Sequence, residues 1–137
     1  MSTKTVARAA LAAGALGMFG TIAFATVAVD LTDFDDDVMR NMDDTVKALD
    51  SHLAMRDAKA AQADAQSIRE GLHWAGDYFV RKGNLERAVQ FARHAEELAG
   101  DVGRSAASSD FDAAVTSYDS LVRACRACHN EYKPPDE

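Results

Sequence analysis

Four successive stretches of this chain carry apolar residues at every third or fourth position, a rhythm that fits long amphipathic helices and little else. In the first stretch, from about Asp33 to Arg56, the apolar line is Met39, Met42, Val46, Leu49 and Leu53, spaced 3, 4, 3, 4. Such a line is the seam of a helix that packs lengthwise against others. The second stretch, Asp57 to Lys82, repeats the rhythm with Ala61, Ala65, Ile68, Leu72, Ala75 and Phe79. The third opens near Asn84 and runs through Leu85, Ala88, Ala92, Ala95, Ala99 and Val102, with fraying expected from Gly103 to Ser109. The fourth, Asp110 to about Tyr132, lines up Phe111, Val115, Tyr118, Val122, Cys125, His129 and Tyr132.

The ends of these stretches carry matching punctuation. Thr32 or Asp33 suits the first N-cap, with Asp35, Asp36 and Asp37 at the positive end of the helix dipole. Asp57 is the expected cap of the second helix, although no Gly or Pro marks that join. Arg81-Lys82-Gly83 reads as a basic last turn and a glycine stop. Asn84 and Asp110 are the expected caps of the third and fourth helices, and Pro134 and Pro135 close the last. Those are the only two prolines in 137 residues, and the Ala, Glu, Arg and Leu content favours helix throughout. The expected fold is therefore all-α: one antiparallel four-helix bundle over residues 33–133, preceded by an N-terminal apolar segment.

That N-terminal segment has the form of a targeting signal. Lys4 and Arg8 precede 21 uncharged residues from Ala9 to Val29, which contain Ala23-Phe24-Ala25. A basic start, an apolar run and a small-residue site describe a secretory signal peptide over residues 1–25, cleaved after Ala25. The alternative is an uncleaved membrane anchor over residues 9–29, long enough to span but rich in Ala and Gly. Basic residues before it and acids after it export the bundle in both cases, to the periplasm of a bacterial cell. Without residues 1–25, 13 basic side chains stand against 22 acidic ones, a formal charge of −9. Such a surface repels nucleic acid and suits a partner protein with a basic docking patch.

The only two cysteines lie in Cys125-Arg126-Ala127-Cys128-His129. This C-x-x-C-H pattern is the c-type haem attachment sequence. Residues three apart on a helix project on one side, so two thiols can reach the two vinyl groups of one porphyrin. The histidine that follows is then placed to bind the iron. A thioredoxin-like redox pair is the first rival, but it belongs at the start of a helix in a βαβ setting. A zinc site is the second, and the chain has no second Cys or His pair at ligand spacing. The expected cofactor is one haem c, held by Cys125, Cys128 and His129.

An exported four-helix bundle with this motif in its last helix resembles the class II cytochromes c, that is, cytochrome c′ and its low-spin, methionine-ligated relatives. The resemblance covers residues 33–133 and is carried most by Cys125 to Lys133. Tyr132 and Lys133 match the aromatic and basic residues that the family places three and four positions after the histidine. The resemblance implies a monohaem electron carrier, or alternatively a five-coordinate protein that binds NO or CO; the sequence shows no acid–base or nucleophile constellation, so an enzyme is not expected. It also implies that the bundle can form a homodimer.

The sixth iron ligand separates these two functions. In an up-and-down bundle the end of the fourth helix neighbours the start of the first, where Met39 and Met42 lie about 9 and 13 Å from the helix start. The resemblance favours Met39 as ligand, since the family's methionine sits early in the first helix and a basic residue often follows it, as Arg40 does here. Met42 is the second choice. Phe79, Leu85 and Val89 are expected to wall the haem cavity, and Arg40 or Lys133 to pair with a haem propionate or else to lie solvated on the surface. Trp74 and Tyr78 are expected in the core or at a subunit contact. His52, His73 and His94 lie too far along their helices to reach the iron.

Overall fold

A computed structural model describes residues 29–83 and 85–133 of the chain. Its described residues form four α-helices and no strand: α1 (Asp36–Ala54), α2 (Ala58–Lys82), α3 (Glu86–Ala107) and α4 (Phe111–Tyr132). The stretch expected as signal peptide or anchor lies outside the described residues up to Thr26-Val27-Ala28, as do Asn84 and the two prolines. Among the described residues no helix is long and apolar enough to cross a membrane.

Consecutive helices run antiparallel, as their cross-contacts require. His52 meets Asp64 between α1 and α2, Asp77 meets Arg93 between α2 and α3, and Arg87 meets Glu131 between α3 and α4. Two of the joints share one construction. At Met55-Arg56-Asp57, Arg56 takes a left-handed φ of 55°, and the N–H groups of Arg56 and Asp57 bond back to the carbonyls of Leu53 and His52. At Ser108-Ser109-Asp110, Ser109 has φ 59°, and the N–H groups of Ser109 and Asp110 bond to Ala106 and Ser105. This paired closure satisfies the last helical carbonyls. The aspartate that completes it then caps the next helix: Asp57 accepts from the Ala60 N–H and Asp110 from the Ala113 N–H. The second joint therefore needs no glycine, and the expected fraying of α3 from Gly103 is absent because Val102 and Ala106 are fully buried in the core.

The start of α1 also differs from expectation. Asp35, not Thr32 or Asp33, is the N-cap, accepting from the Asp37 N–H. Asp33 has other work: its carboxylate accepts from the Tyr78 hydroxyl at 2.7 Å and from Lys82 at 2.5 Å. Asp30 turns the backbone by accepting from the Thr32 N–H and hydroxyl, and Phe34 drops onto α2. There its ring meets Trp74, Tyr78 and Phe79 at centroid separations of 5.2, 4.8 and 5.9 Å. Residues 31–35 thus form a strap across the end of the bundle.

The core has two parts. The larger runs along the bundle axis around Leu49, Ile68, Val102 and Leu121, and the smaller gathers Ala75, Tyr78, Phe79, Ala88 and Ala92 beneath the strap. Met39 touches both. The α2–α3 interface is the most extensive, while α1 and α4 barely touch. The seam of α4 is turned accordingly. Its buried line is Phe111, Ala114, Leu121 and Ala124, and the expected seam residue Val115 is 42% exposed. Tyr118, Val122, Cys125 and His129 line the gap between α4 and α1, with Tyr118 and Cys125 also packed against the edge of the larger core.

Candidate functional site

A cavity of about 330 Å³ fills that gap. Its α1 wall is Met39, Met42, Asp43 and Val46, and its α4 wall runs from Tyr118 to His129. Ile68, Leu72, Ala75 and Phe79 of α2, with Phe91, Ala92 and Ala95 of α3, make an apolar floor. The volume is at the lower end of the range for pockets that hold organic groups. Its α1–α4 side is the least tightly packed of the bundle.

The structure brings most of the expected residues together here. Cys125, Cys128 and His129 all line the cavity, as do Met39, Met42 and Phe79. Leu85 and Val89 do not; they pack behind Phe79 in the smaller core. Arg40 is outside the lining, on the surface, where it pairs with Asp37 at 2.6 Å. Lys133, at the end of α4, is also outside the lining, yet its charge acts on His129. Trp74 and Tyr78 pack against the strap. His52 is held by Asp64 and His73 by Arg93, Asp77 and Glu96, and neither they nor His94 reaches the cavity.

Other lining residues were not singled out by the sequence. Phe91 sits one position off the α3 seam; it lines the cavity and packs edge-on against Tyr132 at 6.4 Å. Tyr118 and Val122 read as ordinary seam residues. Asp43 and Arg126 bring the opposite charges of the two lips, and their own helices place them there.

The electrostatics of the site come mainly from its apolar walls. Both cysteines are free thiols. Burial raises the Cys125 pKa, and it pushes Cys128 up to about 11, with Cys125 and Glu131 adding to the effect. A thiol that acts as redox nucleophile or zinc ligand needs the opposite shift. His129 stands exposed at the cavity mouth with an apolar wall on its inner side. Loss of water there, then the Lys133 ammonium, lowers its pKa against an opposing pull from Asp43. The shift favours the neutral ring, whose lone pair can bind a metal.

A wider groove of about 790 Å³ lies between α2 and α3, lined by Lys59, Arg69, Arg104 and a floor of Ala and Gly. It is shallow and contains neither cysteine nor histidine. Among the described residues no three His, Cys, Asp or Glu side chains converge to hold a metal by themselves. Comparison of the chain with family models, curated proteins and solved structures finds no match.

Proposed function

We propose that the α1–α4 cavity takes one haem c, tethered by Cys125 and Cys128, and that the protein is an exported c-type cytochrome that carries single electrons. The observation that carries this reading is the convergence of both thiols and the His129 imidazole on one apolar cavity. The residues fit the group. Two reduced thiols three residues apart stand on the cavity side of a continuous helix, where thioether bonds to a porphyrin's vinyl groups can form. The His129 imidazole, four residues after the first thiol, would supply an axial donor. A porphyrin brings four nitrogens of its own, so a cluster of protein ligands is not needed.

When bound, haem supplies an iron that gains and loses one electron. The chain's part is to hold and tune it. Phe79, Phe91, Leu72 and Val46, which line the cavity, would keep water from the bound group. Met39, at the junction of both cores, is the proposed second axial ligand, with Met42 the second choice. The acidic surface suits a redox partner with a basic docking patch, and an exported location, soluble or anchored through residues 9–29, agrees with the attachment chemistry. We read the protein as a carrier and not as an enzyme. The alternative is a five-coordinate iron that binds NO or CO, which the wholly apolar floor of the cavity would suit.

Acid–acetone extraction followed by a pyridine haemochrome spectrum tests the reading. Haem is expected to stay with the polypeptide, and replacement of both Cys125 and Cys128 by Ser should release it. A chain exported with an intact haem-attachment system and still free of haem would overturn the proposal. Carbon monoxide added to the ferrous protein separates the two functions: an unmoved low-spin spectrum means a His–Met carrier, and a shifted one means an open, gas-binding iron.

A further inference from the structure

The two cavity methionines are not equivalent, and the difference traces to a glycine on the facing helix. Gly71 sits inside α2 and has no left-handed φ, so conformational freedom does not explain it. What matters is the missing side chain. A Cβ at position 71 would stand 2.5 Å from the Met42 sulfur, 2.7 Å from its Cγ and 3.6 Å from its Cε. The Met42 thioether therefore lies in a slot across the Gly71 backbone, and the residue is only 7% exposed. Gly76 and Gly100 make room for arginines on the outer α2–α3 surface, and Gly103 meets Ala65 at an ordinary 3.5 Å. Among these helical glycines Gly71 alone accommodates a side chain that also lines the cavity.

We propose that Gly71 is a positioning residue that selects the iron ligand: its slot holds the Met42 sulfur against α2 and leaves iron ligation to Met39. This rests on the haem reading above. A methyl group at position 71 occupies the slot. The flexible methionine yields more readily than two packed helices, and the open side available to it is the cavity it already lines.

The test compares Met39→Ala, Gly71→Ala, Met42→Leu and the double variant Met39→Ala/Gly71→Ala as haem-loaded proteins, with helix content checked by circular dichroism. Met39→Ala is expected to open the iron to carbon monoxide. The double variant should close it again, with at least tenfold weaker carbon monoxide binding and a restored thioether-to-iron absorption band. Met42→Leu alone should keep the coordination state of the wild-type iron towards carbon monoxide. If the wild-type iron is already open, Gly71→Ala alone should close it. A double variant that binds carbon monoxide as Met39→Ala does, or a Met42→Leu protein whose iron opens, overturns the proposal.

A second measurement does not depend on haem. In the haem-free protein with blocked thiols, peroxide should oxidise Met42 at least tenfold more slowly than Met55, which is 66% exposed. Gly71→Ala should remove most of that protection, and an unchanged Met42 rate would sink the slot itself. Failure of the haem reading shows as absent haemochrome in every variant, whereas failure of this inference shows in a haem-loaded protein or in the oxidation rates.

Discussion

A thiol in an apolar wall keeps its proton because the thiolate would lose its water. Cys128 shows this most, with its pKa raised from 9.0 to about 11. Alkylation requires the thiolate. In the haem-free protein, iodoacetamide should therefore modify Cys128 slowly near neutral pH, with a rate that rises to a midpoint near 11, whereas in denaturant the midpoint should return towards 9.0. The linkage has a definite sign. Between those two values the unfolded chain loses a proton that the folded chain keeps, so the thiol form loses stability as pH rises from 9.0 to about 11. Rates measured by mass spectrometry across that range check both statements, and a native midpoint at or below 9.0 would contradict them. The same scale marks a limit of sequence reading. The positions of Cys125, Cys128 and His129 on one helix side were legible from spacing, but the direction of the Met42 sulfur depends on Gly71, 29 residues away on another helix.

At the scale of elements, local patterning decided nearly everything that local forces can decide. The 3–4 spacing located all four helices, and Asp57 and Asp110 cap where their side chains can accept from the N–H three residues on. The joints store some strain, because Arg56 and Ser109 occupy the left-handed region at a cost of about 1–2 kcal/mol each for a residue with a Cβ. Ser109 is exposed, and its neighbour Ser108 makes the side-chain bonds to the α3 carbonyls. Ser109→Gly should therefore raise stability by roughly 0.5–1 kcal/mol after the extra freedom of glycine in the unfolded chain is counted. Thermal melts would show this as a higher midpoint; a lower one would mean that Ser109 contributes something besides its backbone. What sequence could not show at this scale was the strap. Asp33 looks like an N-cap from its neighbours alone, and only the arrival of Tyr78 and Lys82, 45 and 49 residues later, recruits it elsewhere and moves the cap to Asp35. The α4 seam was shifted for a similar reason. Periodicity names a stripe, but which edge of it is closed depends on α3 packing more tightly than α1.

For the whole molecule, the unequal interfaces define what the bundle lacks. Three sides of the four-helix square are packed, and the α1–α4 side has few contacts, among them Arg56 near Asp112 at 3.8 Å at its far end and the Tyr118 hydroxyl donating to the Val46 carbonyl at 3.4 Å at the edge of the cavity. Helix α1 buries only Met42, Leu49 and Leu53, whereas α2 buries eight residues. Local opening follows buried contact, so in the haem-free protein the amides of α1 should exchange with solvent faster than those of α2 and α3. The proposed haem, tethered to α4 through Cys125 and Cys128, would supply the missing side. Haem attachment should then slow exchange in α1 and α4 by more than in α2 and α3, most strongly around residues 39–46, where α1 lines the cavity. Exchange followed by peptide mass spectrometry in the two forms tests this. Equal protection of α1 and α2 before attachment would mean that the bundle is closed without its group, and the cavity would then be a packing defect with no structural role for an occupant.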